Sequence, residues 1–226
     1  ARVRDGGVTL HAGAAASLAL DNGDVQGVAT TAGHEACDHV VLAAGAWTKK
    51  ILAQVGLNLP VKPYRTQLAQ LEFDHGPTLP IIHDGEQGVY ARADGQHRIL
   101  VGDGTEHVES QPDAFNTGTD RSFIEKIARS VGRRWHKGEA ARYRTGWAGL
   151  CVGTPDRNAV IGPDPRVKHL HLMTGDNGFG VMRCLAMGAL VAARLQGKMV
   201  AGAETCAPKR LDFAMNDFVI REGFEL

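Results

Sequence analysis

Between residues 14 and 31, AAASLALDNGDVQGVATT, the apolar and polar positions read as two strands that meet at Asn22-Gly23. That dipeptide supplies the positive φ angles of a tight hairpin. The next pattern is different. Asp38-His39-Val40-Val41-Leu42-Ala43-Ala44-Gly45 carries five apolar residues without alternation, which predicts a strand covered on both faces, as in a parallel sheet. AWTKKILAQVG then places Ile51, Leu52 and Val55 at helical spacing and stops at Gly56, a C-terminal capping residue.

In the middle of the chain the period changes again. TQLAQLEF, residues 66 to 73, comes close to strict alternation, as on a half-exposed antiparallel strand. GVYARADGQHRILVG, residues 88 to 102, reads as a hairpin turning at Asp94-Gly95. One helix follows, roughly 120 to 135, with Phe123, Ile124, Ile127, Ala128 and Val131 on one face, and Ser122 and Glu125 have the spacing of a capping box. From about 144 the first character returns. His169 to Thr174 predicts a buried strand, Gly175 to Gly180 a glycine turn, and Val181 to Leu195 a helix closed by Gly197. Ala186, Gly188, Ala189, Ala192 and Ala193 would let that helix pack tightly on a sheet. The expected fold class is α/β (α+β overall), a doubly wound sheet interrupted by an antiparallel insertion.

Composition narrows the function classes. With 226 residues there is enough chain for one large or two small domains. Lys+Arg and Asp+Glu balance at 25 each, and no basic run stands out, so nucleic acid is not an expected partner. Cys37, Cys151, Cys184 and Cys206 form no CxxC, which argues against a zinc site or a disulfide framework. It makes a reducing, cytoplasmic location the default. No membrane span is expected, though a peripheral association with a membrane is compatible with the sequence. The chain opens at Ala1 directly into strand-like sequence, as expected of a fragment or processed product.

Two strands end in glycine, VVLAAG at Gly45 and LHLMTG at Gly175. In an open parallel sheet, ligands bind beyond the carboxyl ends of the strands. If these two are neighbours, Gly45-Ala46-Trp47 and Gly175 to Gly180 converge on one crevice, into which the following helix points free N–H groups and a partial positive charge. His169 and His171 would share a strand face, but the sequence places no third ligand, so no metal is expected. No GxSxG is present, which leaves a serine hydrolase unsupported.

The stretches DHVVLAAGAWT (38–48), WAGLCVGTPDRNAVIG (147–162) and LHLMTGDNGFGVMRCLAMGAL (170–190), taken together, resemble the D-amino-acid oxidase-like family of FAD-dependent oxidoreductases. That family includes glycine and sarcosine oxidases, proline dehydrogenases and dimethylglycine dehydrogenase-like enzymes. The resemblance implies that FAD is the cofactor. It implies that Ala44, Gly45, Ala46 and Trp47 line the flavin, that Gly175, Asn177, Gly178, Phe179, Gly180, Val181 and Met182 wrap its ring, and that Asp156 and Gly162 shape the adjoining loop. Glycine would let the backbone approach a flat ring where a Cβ would clash. The implied organisation is a first part of the FAD-binding domain at 1–57, a substrate-binding domain at 58–143, a second FAD-binding part at 144–206, and a C-terminal tail at 207–226.

One departure is large: the family's GxGxxG for the pyrophosphate is absent. GDGTEH at 102–107 is the nearest glycine cluster, and it lies in a hairpin. A missing N-terminal segment or a partner chain is therefore expected to complete the FAD site. The expected substrate is a small-molecule amine or amino acid. Cys151 stands where glycine oxidase-like members carry an arginine, and Met182 where sarcosine oxidase-like members carry a lysine. The run WAG…TPD.N..IG looks closer to the proline and dimethylglycine dehydrogenase-like branch, which favours secondary or tertiary amines. Candidate carboxylate anchors are Arg65, Arg92 and Arg144, with Tyr90, and also Tyr64, as pocket walls; an exposed or internally paired side chain is the plain alternative for each arginine, and strand packing for each tyrosine. Two other outcomes remain open, a non-catalytic flavoprotein-like subunit or assembly factor and a tRNA-modifying flavoprotein.

Overall fold

The computed structural model describes residues 6–74, 79–104, 107–108, 111–135 and 138–220. The first hairpin forms as expected. Strands β1 (Ala16–Asp21) and β2 (Asp24–Thr30) pair antiparallel across Asn22 (φ 50°) and Gly23 (φ 85°), and β3 (Gly33–Ala36) extends them into a three-stranded meander. Both turn residues sit in the left-handed region that an Asn-Gly pair reaches at least cost.

Strand β4 is shorter than the apolar run predicts, Val40–Leu42 only. Val40 and Leu42 are buried while Val41 is exposed. The expected two-faced cover is thus corrected to cover on one face. A 3-10 turn, Gly45–Trp47, leads into helix α1 (Thr48–Ala53), with Gly56 in the left-handed conformation just beyond its end.

The antiparallel middle is built on β5 (Lys62–Glu72). With β6 (Ile82–Asp84), β7 (Val89–Ala93), β8 (Arg98–Gly102) and β10 (Arg142–Gly153), it forms a sheet in the order β10-β5-β8-β7-β6, and β9 (His107–Val108) adds to β5. GDGTEH falls partly outside the described residues; Gly102 closes β8. The boundary drawn between 143 and 144 falls inside β10. Helix α2 (Arg121–Arg134) lies on one face of this sheet, where Phe123, Ile127 and Val131 meet Ala69, Leu71, Ile99 and Val101. Period two on the strands and 3.6 on the helix supply those apolar stripes. The capping box does not form: Asp120 holds the capping position and Ser122 lies within the first turn.

The third sheet joins the two ends of the chain. β11 (Val160–Pro163) pairs antiparallel with β12 (Leu170–Thr174), which pairs parallel with β4. Its core, with Val40, Leu42, Val160, Leu170 and Leu172, is continuous with Leu52, Leu59, Val152 and Leu211. Helix α3 (Gly180–Leu195) packs on β11 through Met187 and Val191, which meet Ala159 and Ile161. Its small residues do not face the sheet as expected. Ala186, Gly188, Ala189 and Ala192 are exposed, and so are Val181 (93%), Met182 (77%) and Leu185 (88%).

Candidate active site

The parallel pairing sets Leu42 opposite Leu172. Each strand then reaches its glycine three residues later, Gly45 on one and Gly175 on the other. The two exits therefore leave the sheet from neighbouring strands, which a sheet spaces about 4.8 Å apart. Three buried polar atoms without a hydrogen-bond partner flank these exits: the Thr48 and Thr174 hydroxyls and Asp176 Oδ1. Buried polar atoms in proteins are nearly always satisfied. Each of the three lies within three residues of a strand exit along the chain, which makes it a candidate to meet a polar ligand.

The glycine turn owes its shape to the protein's own atoms. A Cβ on Gly175 (φ 73°) would lie 2.4 Å from Thr154 Cγ2, one on Gly180 2.8 Å from Asp176 Oδ2, and one on Gly178 (φ 87°) 3.3 Å from the Tyr64 hydroxyl oxygen. Internal packing is thus a reason for glycine at 175 that stands beside the approach of a flat ring expected from the sequence, while at 178 and 180 the near atoms are the ends of side chains. Around Gly45 (φ 50°) there is open space, with no atom within 4 Å of a built Cβ. Asn177 rivets the turn. Its backbone N–H donates to the Val152 carbonyl, its Nδ2 to the Gly175 carbonyl and the Thr154 hydroxyl, and its Oδ1 accepts from the Thr154 N–H. Its side chain faces inward, so only the backbone at this position remains for a ligand. Phe179 stacks under the Arg183 guanidinium, 4.7 Å from carbon to ring centroid.

With this geometry in place, the comparisons decide the family. The sequence profile described as DAO, FAD dependent oxidoreductase, matches residues 1–194. The chain belongs to this family of FAD-dependent oxidoreductases, and its cofactor is FAD. The glycine oxidase of Pseudomonas putida is 33% identical over 181 residues, covering 78% of this chain and 47% of that protein. FAD-dependent oxidoreductase domain-containing protein 1 of Bos taurus is 34% identical over 171 residues, covering 69% of this chain and 35% of its own. Among solved structures, L-proline dehydrogenase from P. horikoshii superposes with a TM-score of 0.76 at 24% identity over 86% of this chain and 52% of that chain, a likeness of fold. The chain thus spans about a third to a half of the length of these relatives.

Other residues singled out from the sequence fall into two groups. Beside the Gly45 exit stand Ala44, Ala46 and Trp47, the last anchored by its indole N–H to Asp113 Oδ1 at 2.5 Å. Lys50 also pairs with Asp113, and these two donors hold the Asp113 carboxyl below the usual carboxylate range. Away from it stand Asp156 and Gly162. Burial opposes ionisation of Asp156, but the Arg210 fork and the Asn158 N–H outweigh it and lower its pKa. Gly162 (φ 134°) faces Pro208 from the outer strand β11.

Strand register sorts the arginines. Arg65 is 4% exposed, and its three nitrogens donate to Asn116 O, Gly118 O, Gln67 and Asp120. The plain alternative applies, since its fork is engaged within the fold. Arg144 is the extra residue of a bulge in β10 and is exposed. Arg92 pairs with Leu100, and Tyr90 with Gly102, on the sheet face opposite α2. That face continues through Gln70, Leu68 and Thr66 to Trp147 and Gly149, and ends at Tyr64 beside Cys151. The Tyr64 hydroxyl then meets Gly178, so the open sheet face runs directly into the glycine turn. Sequence reasoning missed Thr48, Thr174 and Asp176. The signal available was their position next to the two strand-end motifs, but burial without a partner is visible only in three dimensions.

Histidines 39, 169 and 171 cluster at the opposite, entry end of β4 and β12, with ring centroids 5.2 and 5.3 Å from His39. Neither these three nor any other group of His, Cys, Asp and Glu among the described residues is placed to hold a metal ion.

Proposed function

We propose that this chain is the C-terminal part of an FAD-dependent oxidoreductase that takes a hydride from the carbon beside the nitrogen of a secondary amine, of the proline or N-methylglycine type. The imine formed is then hydrolysed by water. The observation that carries the reading is the pair of strand exits at Gly45 and Gly175, flanked by the buried, unpartnered Thr48 and Thr174 hydroxyls and Asp176 Oδ1. Bound there, FAD supplies the two-electron acceptor. The backbone at 44–47 and 175–182 lines the cofactor, and the N-terminus of α3 presents free N–H groups to the negative charge of its reduced state. Residues 58–143, with β10, form the substrate domain; its open face, Thr66, Leu68, Tyr90 and Trp147, holds the amine. Arg92 is the carboxylate anchor, because it alone of the three candidates lies on that face without internal ion pairing. Secondary amines are favoured because Cys151 and Met182 replace both cations of the glycine- and sarcosine-type sites.

A further segment completes the site. β4 is the edge of its sheet among the described residues, with Val41 exposed beside it. The bare apolar face of α3 at Val181, Leu185 and Ala192 is of a kind that water-facing helices rarely keep. A strand followed by GxGxxG, from the same polypeptide or a partner chain, fits both. The four cysteines form no disulfide, which supports a cytoplasmic location, and no helix among the described residues is long and apolar enough to cross a membrane.

The test is anaerobic mixing of the flavin-loaded protein with proline, sarcosine, glycine and a D-amino acid, read as bleaching of the oxidised-flavin absorbance. Bleaching by the secondary amines ahead of glycine is expected. A flavin that no amine reduces overturns the catalytic reading and leaves the non-catalytic subunit.

A further inference from the structure

Asp176 is the one ionisable side chain among the unpartnered groups at the strand exits. Its Oδ1 is buried with no hydrogen-bond partner, and its Oδ2 folds back over the first residue of α3, as the 2.8 Å approach to a built Gly180 Cβ records. The carboxyl thus covers the start of the helix without capping it, since no side-chain bond satisfies the free N–H groups there. Burial raises its pKa, and the nearby Arg183 only partly offsets this. A carboxylate so placed lies beside the positive helix end and Arg183, and it is half-buried.

That position is also the one at which the proposed reaction deposits charge. An amine substrate arrives as an ammonium ion. Removal of its proton and then of a hydride leaves an iminium on the substrate and one negative charge on the reduced flavin, with one proton to be placed. Two anions crowded at one helix terminus and away from water repel strongly. If the carboxylate accepts the proton, the helix end faces a single negative charge throughout: Asp176 before reduction, the flavin after it. Thr174, two residues before Asp176 and 1% exposed, supplies a hydroxyl that serves either charge distribution without itself ionising.

We propose that Asp176 takes up one proton as the bound flavin is reduced, so that its charge passes to the cofactor. The proton comes from the substrate ammonium in turnover and from solvent in an electrochemical titration. This rests on the FAD site proposed above and goes beyond it, in naming the group that balances the charge.

The experiment follows the midpoint potential of the flavin in the holoprotein as a function of pH, together with a reduced-minus-oxidised infrared difference spectrum. Around neutral pH the wild type is expected to take up two protons per electron pair, one on the flavin and one on Asp176. Asp176→Asn is expected to take up one, and Asp176→Glu to restore two. The infrared spectrum of the wild type, which needs no variant, is expected to gain a protonated-carboxyl carbonyl band on reduction. Equal proton uptake in wild type and Asp176→Asn, or no such band, overturns the proposal. A wild-type protein that holds no flavin overturns the parent reading instead, and this one with it.

Discussion

Asn177 meets two demands that seldom coincide, a left-handed backbone (φ 52°) and a buried amide with every polar atom engaged. Asparagine tolerates that conformation better than other residues with a Cβ. Asn177→Ala is expected to cost about 2–4 kcal/mol, because it strands the Thr154 N–H and strains the backbone together; a denaturant titration measures it. Asn177→Gly removes the strain and is expected to recover about 1 kcal/mol of that loss. The arginines separate in the same way. Arg65→Met leaves Asp120 and Gln67 without their buried partner, and is expected to destabilise by about 3–5 kcal/mol. Arg92→Ala should leave the melting temperature nearly unchanged and raise KM for a carboxylate-bearing amine about 10-fold or more, with a smaller change for an amine lacking the carboxylate.

For the individual elements, period and punctuation located the hairpin at Asn22-Gly23, the β7–β8 turn, α2 and the strand–glycine–helix unit. The parallel match of VVL to LHL was also legible, because both runs end in glycine. The covered faces were not. α3 reads as a helix rich in small residues, but nothing in its period tells that Met187 and Val191 face β11 while Val181 and Leu185 stay bare. Nor does sequence reveal that Thr154, 21 positions before Gly175, fills the space above that glycine. Such contacts are set by sheet register across long loops. The bare face gives its own prediction. Leu185→Glu is expected to leave the stability of this chain within about 0.5 kcal/mol, yet to abolish its assembly with the segment proposed to complete the FAD site, as read by flavin retention on gel filtration.

At the level of the whole molecule, acid sensitivity follows from the imidazole cluster that joins the meander side to the third sheet. Burial, with His39 and His169 nearby, lowers the pKa of His171, whose Nδ1 is buried and unpartnered. The unfolded chain then binds the proton more readily than the folded one, so stability falls as pH drops below the ordinary imidazole value of about 6.5. His171→Leu is expected to flatten the dependence of melting temperature on pH below that point. Asp176 acts in the opposite sense. Its raised folded pKa means stability is lost as pH climbs past the ordinary carboxylate range, and Asp176→Asn should melt higher than wild type at neutral pH.

Residues 208–220 act as a clasp over segments far apart in the chain. Asn58 donates to the carbonyls of Phe213 and Met215, Arg210 grips Asp156, Lys62 pairs with Asp217, and Ile220 lies against Gly153. Leu211 belongs to the same core as Leu59 and Val152. During synthesis these residues leave the ribosome after everything they fasten, so that core stays unsealed until translation has passed them. A nascent chain stalled before Pro208 should accordingly be cut by protease near Asn58 and Asp156, and the same chain extended past Ile220 should resist.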